Sequence, residues 1–165
     1  MKRHHSLVPL SREHHDGLVL AQQLILGRSP GPRSTWPTDR VQQVDRVLAF
    51  YRTDLEYHFA AEEAHVFPAV VAHIPDGAEM IRRLVHEHED LRARIADLAR
   101  DGTTHLEERL PALGERLKAH IRTEEAVLFE RMQQEIAPDV LDAIGVTLRE
   151  VYAAHGKGES CGTSR

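Results

Sequence analysis

Two ten-residue stretches decide how this chain is read: HFAAEEAHVF at His58–Phe67 and HIRTEEAVLF at His120–Phe129. They share a histidine, two successive glutamates, an alanine and a phenylalanine at the same offsets. In each stretch the histidine and the first glutamate, His58 with Glu62 and His120 with Glu124, are spaced i,i+4. On a helix, both side chains then leave one face about 6 Å apart along the axis. That face is otherwise apolar. Val44, Leu48, Tyr51, Leu55 and Val66 flank the first pair, and Leu110, Leu113, Leu117, Val127/Leu128 and Met132 flank the second.

Two further apolar stripes are broken in the same way by one imidazole each. His88 lies between Leu84/Val85 and Leu91 and Ile95, and His14 lies between Leu10 and Leu18 and Ala21. Glu13-His14 also mirrors Glu87-His88, so the pattern repeats as if about a twofold axis. A lone H-x-x-x-E also arises as an exposed helix pair. Two of them in apolar stripes, joined by two more inward histidines, form a far more specific constellation. Burying carboxylates without compensation costs several kcal/mol per ion. A pair of cations removes that cost, and a mixed imidazole and carboxylate set suits iron, manganese or zinc.

Working outward, apolar residues recur at helical spacing along nearly the whole chain. Five helical segments are expected: about 9–27, from about 38 past Pro68 to 73, 76–101, 104 to beyond 132, and 138–154. Pro68 is expected to kink or end the second, and Pro111 to bend the first turns of the fourth. Asp76 with Glu79 and Thr104 with Glu107 stand at capping-box spacing. RSPGPRSTWP (28–37) reads as a loop. Short connections after the second and third segments imply antiparallel neighbours, hence an all-α, up-down-up-down four-helix bundle with a short fifth C-terminal helix. Residues 1–154 are expected to form one domain and 155–165 a disordered tail.

The remaining composition mostly excludes. A net charge of −5, with the basic residues scattered among carboxylates, offers no nucleic-acid surface. No apolar run approaches membrane-spanning length. The opening MKRHHSLVPLSREHH lacks the apolar segment of a signal peptide, and the single cysteine, Cys161, has no intramolecular partner. A cytoplasmic location is the expectation.

These residues resemble the hemerythrin/HHE cation-binding family from about Leu7 to Met132. The family pattern, E-H, H-x-x-x-E, E-H, H-x-x-x-E, is met by Glu13-His14, His58/Glu62, Glu87-His88 and His120/Glu124. The resemblance implies two non-haem irons, oxo- or hydroxo-bridged, with manganese or zinc able to substitute. It implies that His14 and His58 bind one, His88 and His120 the other, and that Glu62 and Glu124 bridge. Oxygen-carrying members have a second histidine one turn before the third-helix ligand. Here that position is Leu84, and His86 points to another side. In this the chain is more similar to the di-iron proteins linked to repair of iron centres under nitrosative stress.

Some assignments stay open. His15 competes with His14 as the first-helix ligand, His65 can line the site, and Glu63 and Glu125 can hydrogen-bond ligating imidazoles or stand in solvent. Tyr51 reads as a core aromatic that can approach the metals. His4, His5, His73, His105 and His155 receive no role. The function expected is binding or sensing of O₂, NO or peroxide, in oxidative or nitrosative stress or iron handling, with no catalytic residue assigned. Two alternatives stand beside it: a di-iron enzyme that decomposes peroxide or donates iron, and a metal-free helical interaction module.

Overall fold

A computed structural model describes residues 2–29, 35–101 and 103–156, and every regular element among them is helical. The loop and tail expectations for 30–34 and 157–165, Cys161 included, lie outside the described residues. Helix α1 (Val8–Leu26) follows a 3₁₀ turn at His5–Leu7, carries Pro9 in its first turn and stops at Gly27, whose φ of 67° a residue without Cβ adopts freely. Helix α2 (residues 40–73) is capped by Asp39, whose carboxylate accepts from the Val41 amide at 3.0 Å. Helix α3 is Gly77–Asp101, α4 spans residues 106–135, and α5 is Pro138–Ala154.

The order of contacts fixes the topology. Gly114 of α4 abuts Ala21 of α1, Gly17 faces Ile121, and His14 meets Glu125, so α1 and α4 run in opposite directions. The pairs Glu63–His88 and Glu56–Arg92 do the same for α2 and α3, and Asp101–Arg109 and Asp90–Arg116 for α3 and α4. At Gly114 an added Cβ would sit 2.7 Å from the Ala21 carbonyl oxygen, so this glycine is what lets α1 and α4 approach so closely. At the first corner, Gln43 donates to the Gly27 and Pro37 carbonyls, both at 2.9 Å. His58 lies fifteen residues beyond Gln43 and His14 thirteen before Gly27, which brings the two imidazoles to one level.

Several local expectations are corrected. Of the two alternatives at Pro68, a kink or an end, helix α2 does not take the second. It runs to His73 through two wider π turns, Tyr51–Leu55 and Glu62–Val66, the second placed just before the proline whose missing N–H it helps to accommodate. Helix α4 continues through Pro111, as expected of the fourth segment. Its N-terminus is not capped by Thr104: the helix starts at Leu106 after His105, which adopts φ 54°, while the Thr104 hydroxyl donates to the Asp101 carbonyl at 3.1 Å. At the other candidate capping box, Asp76 pairs with Arg131 of α4 at 2.6 Å and Glu79 with Arg82 and Arg83.

The core comes in two halves. One is built on Leu20, Leu24, Val47, Phe59, Leu91, Ile95, Leu98, Leu110 and Leu117. The other is built on Leu10, Val66, Phe67, Leu84, Leu128, Phe129 and Met132, together with Leu141, Ile144, Leu148 and Tyr152 of α5. Each fully buried leucine contributes about 1.5–3 kcal/mol. Between the halves lies a polar layer. No helix among the described residues is long and apolar enough to cross a membrane.

Candidate metal centre

The polar layer is His14 of α1, His58 and Glu62 of α2, His88 of α3, and His120 and Glu124 of α4, all between 0% and 4% exposed. In both glutamate-bearing helices a π turn begins at that glutamate, Glu62–Val66 and Glu124–Leu128. A single π turn shifts the helical register by one residue and is frequent at functional sites.

The six side chains form two overlapping groups: His14, His58, Glu62 and Glu124, and Glu62, His88, His120 and Glu124. Within each group the potential ligand atoms lie within 4.8 Å of one another. The two carboxylates belong to both groups. Nε2 of His14 is 3.1 Å from Glu124, Nε2 of His58 is 3.4 Å from Glu62, and Nε2 of His88 and His120 face each other at 3.0 Å. Yet Nε2 of His14 and of His58, and all four oxygens of Glu62 and Glu124, are buried without a hydrogen-bond partner. Orphaned buried acceptors carry a desolvation penalty that nearby polar groups normally relieve. A nitrogen and oxygen donor set aimed at common points fits cations of the iron, manganese and zinc kind.

What turns the nitrogens inward is a second set of carboxylates. Nδ1 of His58 donates to Glu13 at 2.9 Å, and Nδ1 of His88 to Glu63 at 2.7 Å. Nδ1 of His120 donates to Glu87 at 2.7 Å, and Nδ1 of His14 to Glu125 at 2.7 Å. The sequence of donors is a closed ring: α1 holds the imidazole of α2, α2 that of α3, α3 that of α4, and α4 that of α1. A carboxylate on Nδ1 requires the proton there, which leaves the Nε2 lone pair for a cation and increases its basicity. At His88 and His120 that tautomer sets two lone pairs against each other, an arrangement that demands positive charge between or upon them.

Several of these carboxylates are themselves anchored. Glu125 is gripped by Arg3 at 2.6 Å, Glu63 by Arg92 at 2.7 Å, and Glu13 by the Tyr152 hydroxyl at 2.7 Å. Phe59 stacks on His88 with ring centres 3.9 Å apart, and Phe129 on His14 at 5.3 Å.

The electrostatics show the same demand for positive charge. Burial disfavours the His14 imidazolium, but Glu124 and Glu125 outweigh it and raise its pKa to about 10. His88 is likewise raised to about 10 against its burial, by Glu124 and Glu62. Burial opposes ionisation of Glu124, yet His120, His14 and His88 hold it well below the usual carboxylate range. Glu125 is lowered to about 2, its burial outweighed by His14, Ser11 and Arg3.

A cavity of about 20 Å³ adjoins the layer. It is bounded by His14, His58 and His120 with Gly17, Phe59 and Ile121, and it extends to the acidic residues Asp16 and Asp54. It has room for one or two water-sized molecules.

All six residues singled out from the spacing meet here. His15 is exposed, so His14 is the one of that pair that enters the layer. His86 is exposed, and Leu84 is part of the core. His65 is half-buried and belongs to neither group. Tyr51 donates to Glu56 at 2.5 Å. On the surface, His5 faces Asp142 of α5 at 3.1 Å. The sequence reading missed Glu13 and Glu87 as imidazole holders, though each directly precedes a histidine, and it missed Arg3, Arg92 and Tyr152.

Residues 6–133 match the family model described as Hemerythrin HHE cation binding domain. No curated protein and no solved structure matches the chain.

Proposed function

The chain belongs to the hemerythrin HHE cation-binding domain family, and on that premise we propose that it is a di-iron protein that binds O₂, NO or peroxide. In this reading His14 and His58 hold one iron, His88 and His120 the other, and Glu62 and Glu124 are shared. The observation that supports it most is the set of buried Nε2 and carboxylate atoms without partners, arranged in two groups with both acids in common. Bound iron would supply a redox-active Lewis acid with positions open to a small ligand. The protein's part is to hold and shield. Glu13, Glu63, Glu87 and Glu125 fix the imidazoles, and Phe59, Phe67 and Phe129 pack against them and keep bulk water out. With Leu84 in the core, α3 offers a single imidazole, which leaves more of the donor set to exogenous ligands. The neighbouring cavity of about 20 Å³ has room for a small molecule beside the layer. Oxidative or nitrosative stress and iron handling are settings in which such ligands arise.

The test is anaerobic loading with Fe(II), metal analysis, then stopped-flow mixing with O₂, NO and peroxide. Two irons per chain and a stable adduct are expected. Repeated peroxide turnover would instead make it an enzyme. No iron uptake, with His58→Ala and Glu62→Ala leaving stability unchanged, would leave only a metal-free helical module.

A further inference from the structure

The two halves of the polar layer repeat each other closely, and a hydrogen bond from α5 reaches one of them, at Glu13. Glu13 and Glu87 occupy equivalent places, each one residue before a histidine of its own helix and each accepting from the Nδ1 of the next helix's histidine. Glu87 is 39% exposed. Glu13 is 20% exposed, and its Oε2, the same atom that accepts from His58, also accepts from the Tyr152 hydroxyl at 2.7 Å. Tyr152 is 7% exposed and sits with Leu141, Ile144 and Leu148 in the apolar half shared with Phe67 and Phe129. It lies outside the 6–133 family match, so this contact is a property of the α5 extension.

We propose that Tyr152 is a positioning residue that makes the two cation positions inequivalent: by anchoring Glu13 it fixes His58, so the His14/His58 position depends on α5 and the His88/His120 position does not. The inference rests on the two-cation reading above. A glutamate side chain with solvent on one side has several rotamers available, and a hydroxyl buried in the core restricts them. A neutral phenol also leaves the carboxylate's charge undiminished for His58. The Arg92 guanidinium, on Glu63, offsets charge instead. Burial and Glu13 push the phenol far up, so it remains a donor throughout the working pH range. Loss of such an outer partner typically weakens metal affinity about 10–100-fold.

The test is anaerobic titration of the full chain with Co(II), following its visible bands and the exchangeable, paramagnetically shifted imidazole N–H resonances. Wild type is expected to take up two equivalents with four such resonances. Tyr152→Phe keeps the ring and is expected to weaken one equivalent about tenfold, leave the other unchanged, and speed solvent exchange of one resonance. Adding it to Glu13→Gln should cost nothing further, because both changes break one chain of contacts. Unchanged affinities and four unchanged resonances in Tyr152→Phe, or equal weakening of both equivalents, would overturn the inference while leaving the two-cation reading intact. A wild-type chain that takes up no cobalt overturns that reading itself.

Discussion

His14 and His88 are raised to about 10 by the buried carboxylates around them, and Glu125 is lowered to about 2 by His14, Ser11 and Arg3, each against its own burial. The signs give a pH profile for the metal-free protein. A raised histidine contributes stability that is fully present below its ordinary 6.5 and lost as pH climbs to about 10. A depressed carboxylate contributes stability present above its ordinary 4.5 and lost as pH falls toward 2. Urea midpoints of chelator-treated protein should therefore decline on both sides of neutrality. After loading, the alkaline decline should vanish, since metal ions rather than protons balance Glu62 and Glu124. An alkaline decline of equal size with metal present would show that the charges are not metal-compensated. A second expectation concerns Arg92→Met. Glu63 loses its 2.7 Å partner, so metal affinity should fall about tenfold with little change in helix content by circular dichroism. The six inner residues were legible because each interrupts an apolar stripe, where a polar side chain has no cheap explanation. Of the four outer glutamates, Glu63 and Glu125 were legible only as either imidazole holders or solvated groups, and Glu13 and Glu87 were not, because a carboxylate beside a buried residue looks the same whether it faces a neighbouring helix or water. Tyr152 carried no local signal at all: its partner Glu13 is at the other end of the chain.

The helices themselves depart from regularity at the polar layer. The π turns at Glu62–Val66 and Glu124–Leu128 each add one residue to a turn and start on a shared carboxylate. Deleting Ala126, which is exposed, should return that turn of α4 to ordinary α geometry and move Glu124 off the layer. Helicity by circular dichroism should persist while Co(II) affinity drops at least tenfold; retention of wild-type affinity would show that the π turn has no part in presenting the glutamate. Helix ends marked by strong local chemistry were readable in advance, as at Gly27 and Pro138. The run past Pro68 to His73 was legible, but the π turn just upstream was not, because a rule written for regular helices does not foresee one. Nor was the start of α4, where His105 in a left-handed conformation replaces a hydroxyl cap.

Across the molecule, two apolar halves sandwich one polar layer, and α5 belongs to only one half. Leu148→Ala, at a fully buried position on α5, should cost about 2–5 kcal/mol in urea unfolding. Chelation should also destabilise the chain, because ions that bind only the folded bundle add about 2.7 kcal/mol at a hundred times their Kd. Equal melting temperatures with and without metal would contradict that linkage. Bundle topology was legible from the short connections after the second and third segments. The residues that α5 meets were not, since a single amphipathic helix has no register of its own until Gly145 abuts Ser6 and Tyr152 reaches Glu13. The circular arrangement of carboxylates has a kinetic corollary. A helix that swings outward withdraws its own imidazole and, at the same moment, releases the one it was steadying next door. The damage passes around the bundle instead of stopping at one strut, so cargo should leave in a single concerted opening whose rate tracks that of global unfolding.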